Sequence, residues 1–162
     1  MTTSLNLLFR LATRADVPTV VKLLATDKLG AKRETYSDPL PESYYRAFEA
    51  IERDPNNELI VTELAGDVIG VLQITYLPGM TYRGGWRCLI EGVRIADEFQ
   101  SQGIGRRLFE WAIDRARKKG CHMVQLTSDK TRADAIRFYE KLGFAASHEG
   151  MKLRLALPET KS

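Results

Sequence analysis

The segment of this chain with the clearest chemical potential is Gln100-Ser101-Gln102-Gly103-Ile104-Gly105. It follows an apolar run that reads as a strand, and it opens a stretch with apolar residues at helical spacing. Two glycines in such a turn let bare backbone N–H groups face one point. The first turn of the following helix adds its own unpartnered N–H groups and the positive end of its dipole. Together these form a cradle for a phosphate or pyrophosphate. A nicotinamide fingerprint is disfavoured, because it requires a third glycine where Leu108 stands. Cys88 and Cys121 lie far apart and suit neither a disulfide framework nor a metal knuckle; with His122 and His148 isolated, no metal site is expected.

The bulk numbers agree with a chain built to hold a small anionic ligand. Its 162 residues suit a single domain, expected over 4–158, and 44% hydrophobic with 28% charged residues is a globular balance. A net charge of +3, from 24 basic and 21 acidic residues well interspersed, argues against nucleic acid as a partner and would not repel an anionic cofactor. No apolar run approaches bilayer length, and Met1 to Asn6 has no basic segment before an apolar block. The expectation is a cytoplasmic protein with reduced thiols and no membrane partner.

The elements that must position the turn follow from periodicity. Residues 7–11 form a short apolar strand, and Thr13 with Asp16 resembles a capping box for a helix running to about Leu29. Residues 30–41 read as a loop, 42–53 as a second helix, and 58–64 with 68–76 as a hairpin. A glycine-rich loop over 77–85 precedes a strand at 86–95. After the turn come a helix over 104–119, a strand over 121–127 and a helix over 131–142. A hairpin from 145–148 and 151–157 closes the chain, with a disordered tail from 158. The strands flanking the 104–119 helix need a crossover and so should be parallel neighbours. The fold class is therefore α/β (α+β): a mixed, mostly antiparallel sheet of six to seven strands flanked by about four helices.

A second motif, Ala135-Ile136-Arg137-Phe138-Tyr139-Glu140-Lys141-Leu142-Gly143-Phe144, stands downstream of the first. Gln100-x-x-Gly103-x-Gly105 with this helix resembles the GNAT superfamily of acyl-CoA-dependent N-acetyltransferases, and the order of elements matches from Phe9 to Leu157. The resemblance implies acetyl-CoA as cofactor and a splayed parallel strand pair. Its pyrophosphate would accept N–H bonds from the backbone of Gln102 to Arg107 (Gln102, Gly103, Ile104, Gly105, Arg106 and Arg107), Gln100 and Ser101 completing the cofactor-binding turn, and the side chains of Arg106 and Arg107 either add charge or are merely solvated. Its pantetheine arm would pair with Val93, Arg94 and Ile95, and a backbone N–H there would polarise the thioester carbonyl. Gly92 marks a bulge or close approach, or simply a packing glycine.

The implied reaction sets the remaining roles. An alkyl amine has a pKa of about 10.4, so only roughly one in a thousand is neutral near pH 7. By resemblance Glu91 is the general base, and flanking Cys88, Leu89, Ile90 and Val93 suggest partial burial that would raise its pKa. Tyr139 matches the family's general acid for the leaving thiolate. Ala135 and Phe138 belong to the cofactor-binding helix, and Arg132 stands where many relatives carry asparagine, either touching cofactor or exposed at the helix start. The acceptor, a small-molecule or peptide amine, is expected near Tyr36, Tyr76, Met80, Tyr82 and Arg83. Aromatics there suit a cationic amine, and Lys32, Arg33 and Arg83 suit an acceptor with a carboxylate. Protein lysine as acceptor, a non-catalytic acyl-CoA sensor and a homodimer all stay open.

Overall fold

The computed structural model describes residues 6–26 and 29–155. They fall into a larger unit ending at Leu126 and a smaller one from Thr127 onward. The larger unit holds a five-stranded sheet in the order β1-β2-β3-β4-β5. Its strands are β1 (Leu7–Leu11), β2 (Asn57–Leu64), β3 (Asp67–Pro78), β4 (Trp86–Ile95) and β5 (Cys121–Gln125). The first four pair antiparallel and β5 lies parallel to β4, the connection running through α4 (Ile104–Lys118) as the crossover rule requires.

Helices α1 (Val17–Ala25) and α2 (Glu42–Arg53) cover one sheet face. Val17, Val20, Val21 and Leu23 recur at helical spacing and pack on Phe48, Val61 and Val71. The entry to α1 is the predicted capping box: the Asp16 carboxylate accepts from Thr13 N at 2.7 Å and from Thr13 Oγ1 at 3.0 Å. Arg10 clamps the same carboxylate through two nitrogens, at 2.7 and 3.0 Å, while its Nε reaches Glu63 at 2.8 Å. The first helix ends at Ala25, and positions 27 and 28 of its expected extension lie outside the described residues.

The other face carries Ile60, Leu72, Ile74, Tyr76, Cys88 and Ile90, all at most 2% exposed. Against it lies α4, which buries Ile104, Leu108, Phe109, Ala112 and Ala116. Arg115, Arg117 and Lys118 in its last turn suit the negative pole, and Gly120 follows at φ +81. A single irregular turn, α3 (Thr81–Gly84), joins β3 to β4. Among the described residues, no helix is long and apolar enough to cross a membrane.

The smaller unit is built on α5 (Ala133–Lys141), closed by Gly143 at φ +95. Tyr139 packs edge-on against Phe138 and Phe144, with ring centroids 5.4 and 6.1 Å away. The expected closing hairpin is absent among the described residues: 145–155 form no strand, so the sheet has five strands rather than six to seven. The alternation Met151, Leu153, Leu155 reads as a strand, yet these side chains are 94%, 87% and 81% exposed. Alternation says which side chains share a face and cannot supply the ladder partner that a strand needs. Positions 156–162, and with them the expected tail, lie outside the described residues.

Candidate active site

Gly92 is a bulge. Val71 pairs with Arg94 and Gln73 with Glu91, so Gly92 and Val93 together oppose Leu72 alone. Gly92 takes φ +59, the left-handed conformation such a bulge needs. Close approach on the neighbouring strand completes it: a Cβ on Gly70 would lie 2.6 Å from Ile95 Cδ1 and 3.2 Å from the Arg94 carbonyl oxygen. The parallel pairing of β4 with β5 stops just before the bulge, at Leu89 and Gln125. Beyond it, β4 presents the backbone of Val93, Arg94 and Ile95 along an edge that β5 does not pair.

Glu91 stands at this parting of the strands and is exposed, which corrects the expected burial. Its sequence neighbours Cys88 and Ile90 face α4, whereas Glu91 shares the opposite face with Leu89, Thr75 and Gln73. Half-buried polar side chains continue that face: Thr75 Oγ1 donates to Asn57 Oδ1 at 2.7 Å, and Asn57 Nδ2 donates to Asp54 at 2.7 Å.

Past β4 the chain makes the predicted cradle. Ser101 and Gly103 take φ +62 and +77, and Gly103 caps α4. Arg107 N donates to the Gly103 carbonyl at 3.2 Å, leaving the N–H groups of Ile104, Gly105 and Arg106 with no carbonyl one turn back. A Cβ at Gly103 would meet nothing within 4 Å, so its positive φ rather than crowding is what favours glycine there. This arrangement fits a pyrophosphate.

The side chains of the cradle serve its frame. Gln100 Nε2 donates to the Ile95 carbonyl at 3.0 Å and to Asp97 Oδ1 at 2.8 Å; Gln102 Nε2 donates to the Glu98 carbonyl at 3.0 Å. Arg94, 11% exposed, donates to the same Asp97 oxygen and to Thr26 Oγ1 at the end of α1. Arg106 is exposed and pairs with Glu110 at 2.8 Å, while Arg107 is half-buried. Asp97 was not singled out by sequence, although its place three residues after Arg94 and three before Gln100 is the available signal.

The expected acceptor residues are not brought together. Tyr76 lies on the α4 face at 1% exposure, donates to Glu58 Oε2 at 3.1 Å and has Lys119 Nζ 5.1 Å over its ring. Burial, then Glu58, pushes its hydroxyl pKa above the ordinary tyrosine range. Arg115 closes this cluster by gripping Glu58. Met80, Tyr82 and Arg83 sit before Trp86, five strand residues or about 17 Å from Glu91. There Tyr82 and Arg83 hold φ +52 and +60, and the Tyr82 ring lies 4.5 Å from that of His122. Tyr36 is exposed in the connection between α1 and α2.

In the smaller unit, Arg132 and Ala135 line a shallow cavity of about 350 Å³ at the start of α5, with Thr131, Ala133, Asp134 and Arg137. Burial raises the Tyr139 hydroxyl pKa above the ordinary tyrosine range. In the larger unit, burial pushes the Cys88 thiol up to about 12, which removes it as a nucleophile at neutral pH.

Comparison with known proteins bears on this geometry. The model of the acetyltransferase (GNAT) family matches residues 27–144. A solved protein from Bacillus halodurans C-125, described as a transcriptional regulator, superposes with a TM-score of 0.90 at 53% identity, covering 93% of this chain and 100% of that one. The aminoalkylphosphonate N-acetyltransferase of Salmonella typhimurium is 27% identical over 66% of this chain and 69% of its own length. The glucosamine 6-phosphate N-acetyltransferase of Trypanosoma brucei brucei is 32% identical over 56% of this chain and 59% of its own.

Proposed function

The chain belongs to the acetyltransferase (GNAT) family and is an acetyl-CoA-dependent acyltransferase; on that premise we propose that it acetylates the primary amine of a small molecule by direct attack in a ternary complex. The observation that carries this reading is Glu91, exposed beside the Gly92 bulge where β4 parts from β5. Acetyl-CoA supplies an activated thioester carbonyl. The first-turn N–H groups of α4 hold its pyrophosphate. The Val93 to Ile95 edge that β5 does not pair orients its pantetheine arm, and an N–H there stabilises negative charge developing on the carbonyl oxygen. The Glu91 carboxylate accepts a proton from the acceptor ammonium, directly or through water, and frees the amine lone pair. The coenzyme A thiolate leaves as its C–S bond breaks and then takes up a proton.

Direct attack is supported by the state of Cys88, whose raised pKa disfavours an acyl-cysteine route. The two curated relatives are named for small amines that carry a phosphonate or a phosphate, which supports a small acceptor over a protein lysine. The test is thiol release from acetyl-CoA across a panel of small amines, with Glu91→Gln alongside. Turnover on at least one amine, lost in the variant, is the expected result. Acetyl-CoA binding without thiol release on any amine would overturn the reading.

A further inference from the structure

Arg87 shares the sheet face of Glu91. Leu77 with Arg87, Thr75 with Leu89 and Gln73 with Glu91 are cross-strand pairs two residues apart in one unbroken register. The intervening Cys88 and Ile90 are 0% and 2% exposed on the opposite face. Arg87 and Glu91 thus stand four residues apart on one strand, about 13 Å between Cα atoms.

Arg87 is also the exception among the half-buried arginines, which are Arg10, Arg87, Arg94, Arg107 and Arg115. Arg10 is held by Asp16 and Glu63, Arg94 by Asp97 and Arg115 by Glu58; Arg107 has a partner as well. The Arg87 guanidinium has no hydrogen bond or ion pair among the described residues. Its ladder partners on the two flanking strands are Leu77 and Met123, both apolar. A guanidinium cannot shed its charge, so the half-buried Arg87 presents a fixed positive charge with no counter-charge among the described residues. Arg10, Arg94 and Arg115 each meet a carboxylate; at Arg87 the place of the anion is left open.

We propose that Arg87 receives a compact oxyanion (carboxylate, phosphate or phosphonate) borne by the amine acceptor whose nitrogen meets Glu91. The proposal rests on the acetyltransferase reading above and deepens it by naming the acceptor as a short zwitterion. A planar guanidinium matches such an oxyanion through two parallel N–H bonds. A cation and an anion spaced along one strand then orient the acceptor with its amine at the bulge. Half-buried Gln73 and Thr75 lie on the same face and add no competing charge.

The experiment compares the parent, Arg87→Gln and Arg87→Lys on 2-aminoethylphosphonate, β-alanine and uncharged 2-aminoethanol. In Arg87→Gln the KM for the two anionic acceptors should rise about 10- to 100-fold. The KM for acetyl-CoA and for 2-aminoethanol should stay within about twofold, and Arg87→Lys should recover part of the loss by keeping charge without the fork. Unchanged KM values for the anionic acceptors, or a rise confined to acetyl-CoA, would overturn the proposal. Should the parent acetylate none of the three, the acceptor reading fails by itself. Arg87 is then tested by titrating methylphosphonate into the isotope-labelled parent and Arg87→Gln. Resonance shifts around β4 that vanish in the variant support the anion site, and an unresponsive parent or an equally responsive variant overturns it.

Discussion

Asp97 Oδ1 accepts the side-chain amide of Gln100 at 2.8 Å, which makes that glutamine part of the frame of the turn proposed to hold the pyrophosphate. The same oxygen accepts Arg94 at 3.0 Å, and Arg94 extends to Thr26 at the end of α1. One carboxylate thereby ties the start of the cradle to β4 and to the helix that leads into the α1–α2 connection.

Asp97→Ala should raise the KM for acetyl-CoA about three- to tenfold while kcat moves less than about twofold, because the turn loses its frame and no reacting group. Asp97→Asn keeps one acceptor oxygen and should recover most of the loss. Initial rates at varied acetyl-CoA decide this; an unchanged KM in Asp97→Ala would remove the framing role.

Glu91→Gln should lower kcat/KM for the amine about 10²- to 10⁴-fold near neutral pH. The deficit should shrink as pH rises and more of the amine is already neutral. Because Glu91 is exposed, the folded state should be unaffected. A pH–rate profile identical to the parent's would show that Glu91 is not the base.

Gly92→Ala should cost about 1–2 kcal/mol of stability, since φ +59 is strained for any residue with a Cβ although no atom lies within 4 Å of that site. Gly70→Ala should cost more, because the Arg94 carbonyl oxygen at 3.2 Å is backbone and cannot turn aside. Urea unfolding of the two variants gives the comparison, and equal losses would contradict it.

Acid should weaken the β1–α1 corner. Hydrogen bonds from Arg10, assisted by Thr13, hold the Asp16 carboxyl at about 2, below its ordinary 3.8. Because the folded value is the lower one, the stabilisation is complete above about pH 4 and is lost as pH falls through about 2. Lowering the carboxyl from 3.8 to about 2 corresponds to about 2–3 kcal/mol. Asp16→Asn should lose about that much at pH 7 and lack this acid limb, as read from urea midpoints at pH 7, 4 and 2.5.

Cys88→Ala should keep kcat within about threefold, and Cys88 in the native parent should resist maleimide at pH 7, because its thiol is buried and raised to about 12. Loss of turnover in an otherwise folded Cys88→Ala would revive an acyl-cysteine route.

Much of the sheet was legible in the sequence. Apolar runs in 58–64, 68–76 and 86–95, bounded by turn residues, mark three strands, and Gly92 marks a candidate bulge that the register then settles. The errors share one physical origin. Glu91 looked buried because Cys88 and Ile90 are near it in sequence, yet pleating sends them to the other face. Tyr76 looked like a pocket residue, and the same pleating buries it against Glu58 under α4. Met80, Tyr82 and Arg83 looked adjacent to Glu91, and β4 carries them to its opposite end. Met151, Leu153 and Leu155 alternate without a ladder partner.

By itself the sequence determined the glycine turn at 100–105 that opens a helix and the helix motif at 135–144, because glycine conformation, helix starts and caps depend on consecutive residues. Tertiary structure alone decided that Asp97 frames the cradle, that Gln73 and Arg87 share a face with Glu91, and that Arg87 has no counter-charge among the described residues. Those relations follow from strand register, which joins residues distant along the chain and leaves no local mark in it.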